Sequence, residues 1–267
     1  MTTGTPPVVV VTRDEHANDE FSRILSILGA EPRALQTIAI APPKDLASLD
    51  AALADLAKVD WIIFTSPNAV DAVCAHPGWR RTWKRTPGLV RIAAVGRATA
   101  ARLSSQGVEV DLVPETASAA GLVTALRARA GSLTDTRILW PRSDIARREL
   151  PDALVAAGAR VVDPPAYRTV AVRPRGLSGF VQALAGGGVD AVAFLSPSSA
   201  LGLAAALTEG TLRPLAGRTA VASIGPTTSA TLAKLGAPPD VEPKDRTARA
   251  LAEAIVEHLL ARKAAQA

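Results

Sequence analysis

The sequence predicts an α/β protein with parallel sheets, and it predicts that the architecture is present twice. Three observations carry this. Residues 8–11, 61–64, 91–95, 138–140, 191–195 and 219–224 are short, apolar and rich in β-formers. They lack polar alternation, as strands covered on both faces should. Between them the period changes to that of a helix: Phe21, Ile24, Leu25 and Leu28 recur at i, i+3, i+4, i+7, and Leu251, Ile255 and Leu259 follow the same face near the C-terminus. Alternation of this kind implies strands joined by crossover helices. The third observation is a repeat at a spacing of 129 positions, which pairs Arg13 with Arg142, Gly29 with Gly158, Gly96 with Gly225, Thr99 with Thr228, Gly107 with Gly236, Pro114 with Pro243 and Leu122 with Leu251. Ser66-Pro67 recurs as Ser196-Pro197, one residue off that register.

Taken in order, the elements are punctuated in matching ways. The first strand, residues 8–11, ends at Thr12-Arg13, and the strand at 138–140 ends at Pro141-Arg142-Ser143. Proline-marked extended segments follow in each copy, at residues 39–43 and 164–174. Each is a place where the chain can cross from one folded unit to another. The strands at 61–64 and 191–195 run into Thr65-Ser66-Pro67-Asn68 and Ser196-Pro197-Ser198-Ser199, a hydroxyl followed by proline, which is the grammar of a helix start. The strands at 91–95 and 219–224 run into Gly96-Arg97-Ala98-Thr99 and Gly225-Pro226-Thr227-Thr228, a glycine at a tight exit with hydroxyls in the first helical turn. The repeat leaves open whether each copy is a domain or whether the copies exchange elements.

Composition narrows the function. A chain of 267 residues exceeds the usual ~100 to 200 of one domain, so two domains are expected. Its apolar runs fall far short of the ~18 residues needed to cross a bilayer. No basic segment followed by an apolar core opens the chain, which predicts a cytoplasmic protein without membrane contact. The single cysteine, Cys74, excludes an internal disulfide, and His16, His76 and His258 have no metal-ligand spacing. The net charge of +5 favours acidic partners. Residues 79–85, Trp-Arg-Arg-Thr-Trp-Lys-Arg, mix cations with aromatics as a single-strand nucleic-acid binder would, but they lie between Pro77-Gly78 and Pro87-Gly88 and are expected to be a solvated connection. Nucleotide-binding glycine motifs, the serine-hydrolase elbow and the zinc-protease motif are missing.

The paired strand-to-helix turns are therefore the candidate site. Helix N-termini offer free N–H groups and the positive end of a dipole, and in open α/β sheets such turns line the ligand crevice. The candidates are Arg13, Thr65, Ser66, Asn68, Gly96, Thr99, Arg142, Ser143, Ser196, Ser198, Gly225, Thr227 and Thr228. Each has an ordinary alternative. The hydroxyls serve equally as helix caps, the glycines as backbone hinges, and the arginines as solvated surface groups. Tyr167, the only tyrosine, stands beside Pro164-Pro165 as a packing residue or a functional one.

Residues 61–70, 94–100, 150–158, 167–170, 194–198 and 224–228, in that order, resemble the landmarks of the uroporphyrinogen-III synthases and span most of the chain. Each landmark is short; six in sequence are specific. The resemblance implies two similar α/β lobes, each with a parallel sheet flanked by helices, joined by two extended linkers. Lobe one would be residues 1–38 plus 172–267, and lobe two residues 39–171. It implies a cyclase that needs no cofactor; the missing ligand spacing adds that no metal is expected, the reading of residues 79–85 that no nucleic acid is, and a monomer is expected. The substrate would be hydroxymethylbilane, whose eight carboxylates suit the anion-binding turns. Water is lost from the terminal hydroxymethyl group, and the ring closes through a spiro intermediate with the last pyrrole inverted. Tyr167 resembles the family's cleft tyrosine, placed to assist departure of the hydroxyl, and Thr99, Thr227 and Thr228 resemble its cleft threonines. Two other classes share the outline: a regulatory tetrapyrrole sensor of the same fold, which would carry a further DNA-binding domain, and a two-lobed anion-binding protein of the periplasmic type.

Overall fold

The computed structural model describes residues 5–12, 19–83, 88–207, 210–217 and 219–266. Along the chain these form β1 (Val8–Val11), α1 (Asp19–Ile27), β2 (Glu31–Ala34), β3 (Ile38–Ala41), α2 (Ala47–Ala54), β4 (Trp61–Phe64), α3 (Pro67–Ala75), α4 (Pro77–Trp83), β5 (Arg91–Ala94), α5 (Arg97–Ser105) and α6 (Ala119–Ala130). The second half holds β6 (Arg137–Leu139), β7 (Arg142–Ser143), α7 (Glu149–Ala156), β8 (Arg160–Val162), β9 (Pro165–Ala171), α8 (Leu177–Ala185), β10 (Ala191–Phe194), α9 (Pro197–Ala206), β11 (Ala220–Ser223), α10 (Pro226–Lys234) and α11 (Ala248–Gln266).

The protein is an α/β fold with two four-stranded parallel sheets of the same order, β11-β10-β1-β2 and β5-β4-β6-β8. The repeat explains the match. In each sheet the β-α-β pair that opens one copy sits beside the later strands of the other copy, so the copies exchange elements. By compactness the chain divides into one unit of Met1–Ala39 with Val170–Ala267 and another of Ile40–Thr169. The strands that cross this division, β3 and β9, are neighbours in a third small sheet with β7.

Except for the edge strands β2 and β8, which are partly exposed, the strands of both sheets are buried on both faces, which is why they read as unbroken apolar runs. In the second unit Ile62, Phe64, Ile92 and Leu139 pack on one side with Leu49, Leu53, Val70, Leu103 and Tyr167. Trp61, Ile63, Ala93 and Ile138 pack on the other with Leu122, Leu126 and Leu154. In the first unit Val10, Val192, Phe194 and Val221 face α8, α9 and α10, while Val9, Val11, Ala191 and Ala220 face α1 and α11.

The repeat also extends to hydrogen bonds. Asp60 and Asp190, each just before a strand, accept the first N–H of the neighbouring strand, from Arg137 and Val8, both at 2.7 Å. Asp111 and Asp240 form a second matched pair, accepting the N–H of the second residue of β5 and β11, Ile92 and Val221, at 2.7 and 2.8 Å. These carboxylates satisfy strand donors at the edge opposite the candidate turns.

One expectation is overturned here. Residues 79–83 are not a solvated connection. Pro77 opens α4, a role its fixed φ suits. Trp79 is 3% exposed, edge-on to Phe64 at 6.4 Å and stacked on Trp83 at 4.5 Å, so its faces are taken by the core. Lys84 and Arg85 lie outside the described residues.

Candidate active site

All the described candidate turns follow the carboxyl ends of parallel strands, and the two most informative pairs behave differently. The first pair is made of helix caps. Ser66 is extended (φ −154°, ψ 151°) and its Oγ accepts the Ala69 N–H at 3.1 Å, with Pro67 in the first turn of α3. Ser196 caps α9 in the same way through the Ser199 N–H at 3.2 Å. Capping is thus a real role of both serines. Each also touches a second hydroxyl: Ser66 Oγ lies 3.0 Å from Tyr167 Oη, and Ser196 Oγ lies 3.0 Å from Ser198 Oγ.

The second pair has no such cap. Gly96 and Gly225 precede α5 and α10 without a side-chain hydrogen bond to the helix start. Behind them Thr99 and Thr228, at 3% and 2% exposure, are buried polar residues. The other buried hydroxyls, on Thr12, Thr37, Ser199, Thr219 and Ser223, all bond backbone carbonyls. Among the described residues neither Thr99 Oγ1 nor Thr228 Oγ1 has a partner. A buried hydroxyl left unpaired costs about 1 to 3 kcal/mol, so an unpaired one at the same position of both copies asks for an explanation.

The two glycines differ in a way the repeat conceals. Gly96 has φ +95°, which a side chain resists, and the space where its Cβ would stand is empty. Gly225 is extended at φ 165°, and a Cβ there would meet Arg246 at 3.3 Å. Its N–H is taken by Ser223 Oγ at 3.3 Å, and Pro226 has no N–H to give. Ser223 is in turn bonded by Ser229, which also reaches Glu242. The equivalent positions in the other copy, Ala94, Ala100 and Val113, are apolar. The turn at Gly96 therefore keeps more open backbone donors than the turn at Gly225. Thr227 is exposed, as is Arg97.

Tyr167 lies in β9, 8% exposed, with β7 beside it so that Ser143 stands opposite in the ladder. It also lines a cavity of about 500 Å³ with Asn68, Asp71, His76 and the apolar Ile40, Pro42 and Leu46. His76 takes no part as a free base: its Nδ1 accepts the Gly78 N–H at 3.1 Å and its Nε2 faces Asp50 at 3.4 Å. A second cavity, of about 270 Å³, opens where the strand order reverses between β4 and β6, and Thr65, Val95, Trp140 and Arg147 line it. There Trp140 donates its indole N–H to Thr65 Oγ1 at 3.2 Å, which leaves the threonine hydrogen available.

Arg142 is neither a free clamp nor a solvated side chain. Its Nε donates to Asp163 at 2.9 Å and its Nη1 to the Ser143 carbonyl at 2.9 Å, and Arg148 shares Asp163 at 3.1 Å. A ligand carboxylate would have to compete with Asp163 for that guanidinium. Ser143 donates to Asp144 at 3.2 Å. Arg13 lies outside the described residues. Sequence reasoning missed Trp140 and Asp163; an aromatic at a strand end and an acid just before Pro164-Pro165 were the available signals.

Among the described residues no group of three His, Cys, Asp or Glu is placed to hold a metal ion, and no helix is long and apolar enough to cross a membrane. Cys74 is buried, and its thiol is pushed up to about 11, chiefly by burial and then by the nearby Asp71. At neutral pH it is a thiol, and slow labelling by a thiol reagent is expected until the protein is unfolded. Because the folded protein holds this proton more tightly than the unfolded chain, the group's contribution to stability is complete below pH ~9 and falls as pH rises toward 11. Denaturant midpoints that rise over that window relative to Cys74→Ala would contradict the assignment.

Comparison with known proteins supplies the family. Residues 19–253 match the family described as uroporphyrinogen-III synthase HemD. The uroporphyrinogen-III synthase of Synechococcus elongatus is 34% identical over 163 residues, 60% of each chain, and that of Chlorobaculum parvum is 28% identical over 256 residues, 94% of this chain and 98% of the relative. The match to the Synechococcus protein thus spans about three fifths of that relative's length. Crystal structures of uroporphyrinogen III synthases from Thermus thermophilus and Helicobacter pylori share the fold, each with a TM-score of 0.61, at 18% and 16% identity, and each match covers 96% of this chain and 99% of the other. The chain belongs to the uroporphyrinogen-III synthase family, enzymes of tetrapyrrole biosynthesis that cyclise hydroxymethylbilane.

Proposed function

We propose that the chain converts hydroxymethylbilane to uroporphyrinogen III by holding the substrate's carboxylates at the strand-end turns while Tyr167 assists loss of the terminal hydroxyl. The observation that carries the proposal is the pair of buried hydroxyls, Thr99 and Thr228, at equivalent helix starts, neither with a partner among the described residues. A carboxylate accepting from each would remove the desolvation penalty that the unliganded protein bears. The turn at Gly96 supports the same reading, since its open backbone and the positive end of α5 suit an anion.

The substrate supplies its own nucleophile, so the work of the protein is orientation. Spontaneous closure joins the unsubstituted carbon of the last pyrrole; the inverted product requires attack from the substituted carbon. Holding the linear chain in that geometry offsets an entropic cost that free solution does not. Asn68, Thr65, Ser196, Ser198, Gly225 and Thr227 stand at or beside the same turns and are proposed as substrate contacts, and Ser66, a candidate with them in the sequence, is proposed to act at the same turn through Tyr167, whose Oη lies 3.0 Å from its Oγ. Arg142 and Ser143 are proposed with them, Arg142 by exchanging Asp163 for a substrate carboxylate. The reading includes a monomer working in the cytoplasm without a nucleic-acid partner, and the burial of Trp79 supports the last point.

Incubation of the purified protein with freshly generated hydroxymethylbilane, followed by oxidation and separation of the porphyrin isomers, tests the proposal. The inverted isomer is expected to predominate. Formation of only the uninverted isomer, at the rate seen without protein, would refute it.

A further inference from the structure

Tyr167 and Ser66 form a pair whose hydrogens do not balance. Two hydroxyls 3.0 Å apart share one hydrogen, and one hydrogen is left over. Where it goes decides what the pair can do. Ser66 Oγ already accepts the Ala69 N–H at 3.1 Å, at the positive end of α3. Accepting that bond strengthens the serine O–H as a donor, and the helix field disfavours pointing a second hydrogen at the same oxygen.

We propose that Ser66 is a positioning residue: it donates its hydrogen to Tyr167 Oη, so that the phenol keeps its own O–H free for a ligand. The chain of donors then runs Ala69 N–H, Ser66 O–H, Tyr167 O–H, and each link polarises the next. The equivalent cap in the other copy, Ser196, meets Ser198 and has no phenol beside it, so capping alone does not require the arrangement.

The inference rests on the reading given under Proposed function for what the free hydrogen does. In the ionisation step the bond between the terminal methylene and its hydroxyl breaks, its electron pair leaves with oxygen, and the pyrrole nitrogen's pair stabilises the carbon. The Tyr167 proton completes the departing water. The resulting phenolate is stabilised by the Ser66 hydrogen, and the proton shed when the ring carbon rearomatises restores the phenol. Atoms and charge balance without a further reactant.

The test exploits Tyr167 being the only tyrosine in the chain. Ser66→Asp keeps a good cap but offers acceptor oxygens only, which turns the phenol hydrogen inward. The intensity ratio of the tyrosine Raman doublet, which distinguishes a donating from an accepting phenol, should read acceptor in the unliganded wild type and donor in Ser66→Asp. In kinetics, kcat of Ser66→Asp should fall to about that of Tyr167→Phe, and combining the two should cost no more than Tyr167→Phe alone. Ser66→Thr should recover most of what Ser66→Ala loses. A change confined to KM would mark a charge or packing effect and overturn the inference, as would a wild-type doublet of the donor type. Absence of the inverted isomer from the wild-type reaction would instead sink the functional reading, while the Raman comparison would still decide the direction of the hydrogen bond.

Discussion

Replacing Thr99 and Thr228 together with valine is expected to remove most of the synthase activity while leaving the melting temperature unchanged or raised. The two effects have one cause. Each hydroxyl is buried without a protein partner among the described residues, so its removal relieves a penalty of roughly 1 kcal/mol or more in the free protein. In the complex each would lose a hydrogen bond to a charged carboxylate, worth about 1.5 to 3 kcal/mol, or about 10- to 150-fold in kcat/KM per site. A capping or packing role predicts the reverse, lower stability with activity retained. Valine is preferred to a bulkier probe because both sites are buried, and an oversized side chain would confuse strain with lost binding.

The largest effect on stability is expected at Gly202, inside α9. A Cβ there would collide with the Thr37 carbonyl oxygen and stand 3.0 Å from the Ile38 side chain. Thr37 cannot easily move. It is fully buried, its hydroxyl lies 3.1 Å from the Thr12 carbonyl and 3.0 Å from the Ser199 carbonyl, and its own carbonyl accepts the Val172 N–H at 3.0 Å. Thr37 thus ties the start of β3 to the first unit. Gly202→Ala is expected to reach or pass the upper end of the ~1 to 3 kcal/mol cost of overpacking, read as a lower denaturant midpoint. Gly179→Ala is the control: its helix has open space at that position, and a gain of ~0.5 to 1 kcal/mol is expected there. Equal behaviour of the two variants would show that the contact at Thr37 is not what holds α9 in place.

The parts of this structure that were legible in the sequence share a physical property: they are set by short-range pattern. Val8–Val11 and Trp61–Phe64 read as strands because both their faces are covered. Ser66-Pro67 and Ser196-Pro197 read as helix starts because a cap is a local bond. What the sequence concealed depends on partners far along the chain. Pro77-Gly78 looks like a break, and becomes a helix start only because Trp79 finds Phe64 and the core behind it. Arg142 looks free until Asp163 folds against it. The roles of Thr99 and Thr228 could not be chosen between cap and ligand contact, since the choice turns on whether a buried oxygen has a neighbour. Asp60 and Asp190 stand before equivalent strands of the two copies, but a single acid before a strand carries no pattern of its own, and its role shows only when the neighbouring strand's N–H arrives.

Orientation of the substrate is expected to outweigh proton donation. One comparison tests this most directly: kcat and isomer ratio for Tyr167→Phe beside those for Thr99→Val/Thr228→Val, with thermal unfolding measured on each. A good leaving group on an electron-rich pyrrole needs little acid help, so Tyr167→Phe is expected to lose no more than ~10²-fold, the lower end of what general acid catalysis contributes, with the inverted isomer still the main product. The double valine variant is expected to lose more and to release a larger share of the uninverted isomer. Near-complete inactivation by Tyr167→Phe in a protein whose unfolding is unchanged, with the valine variant little affected, would contradict this and make proton donation the dominant contribution.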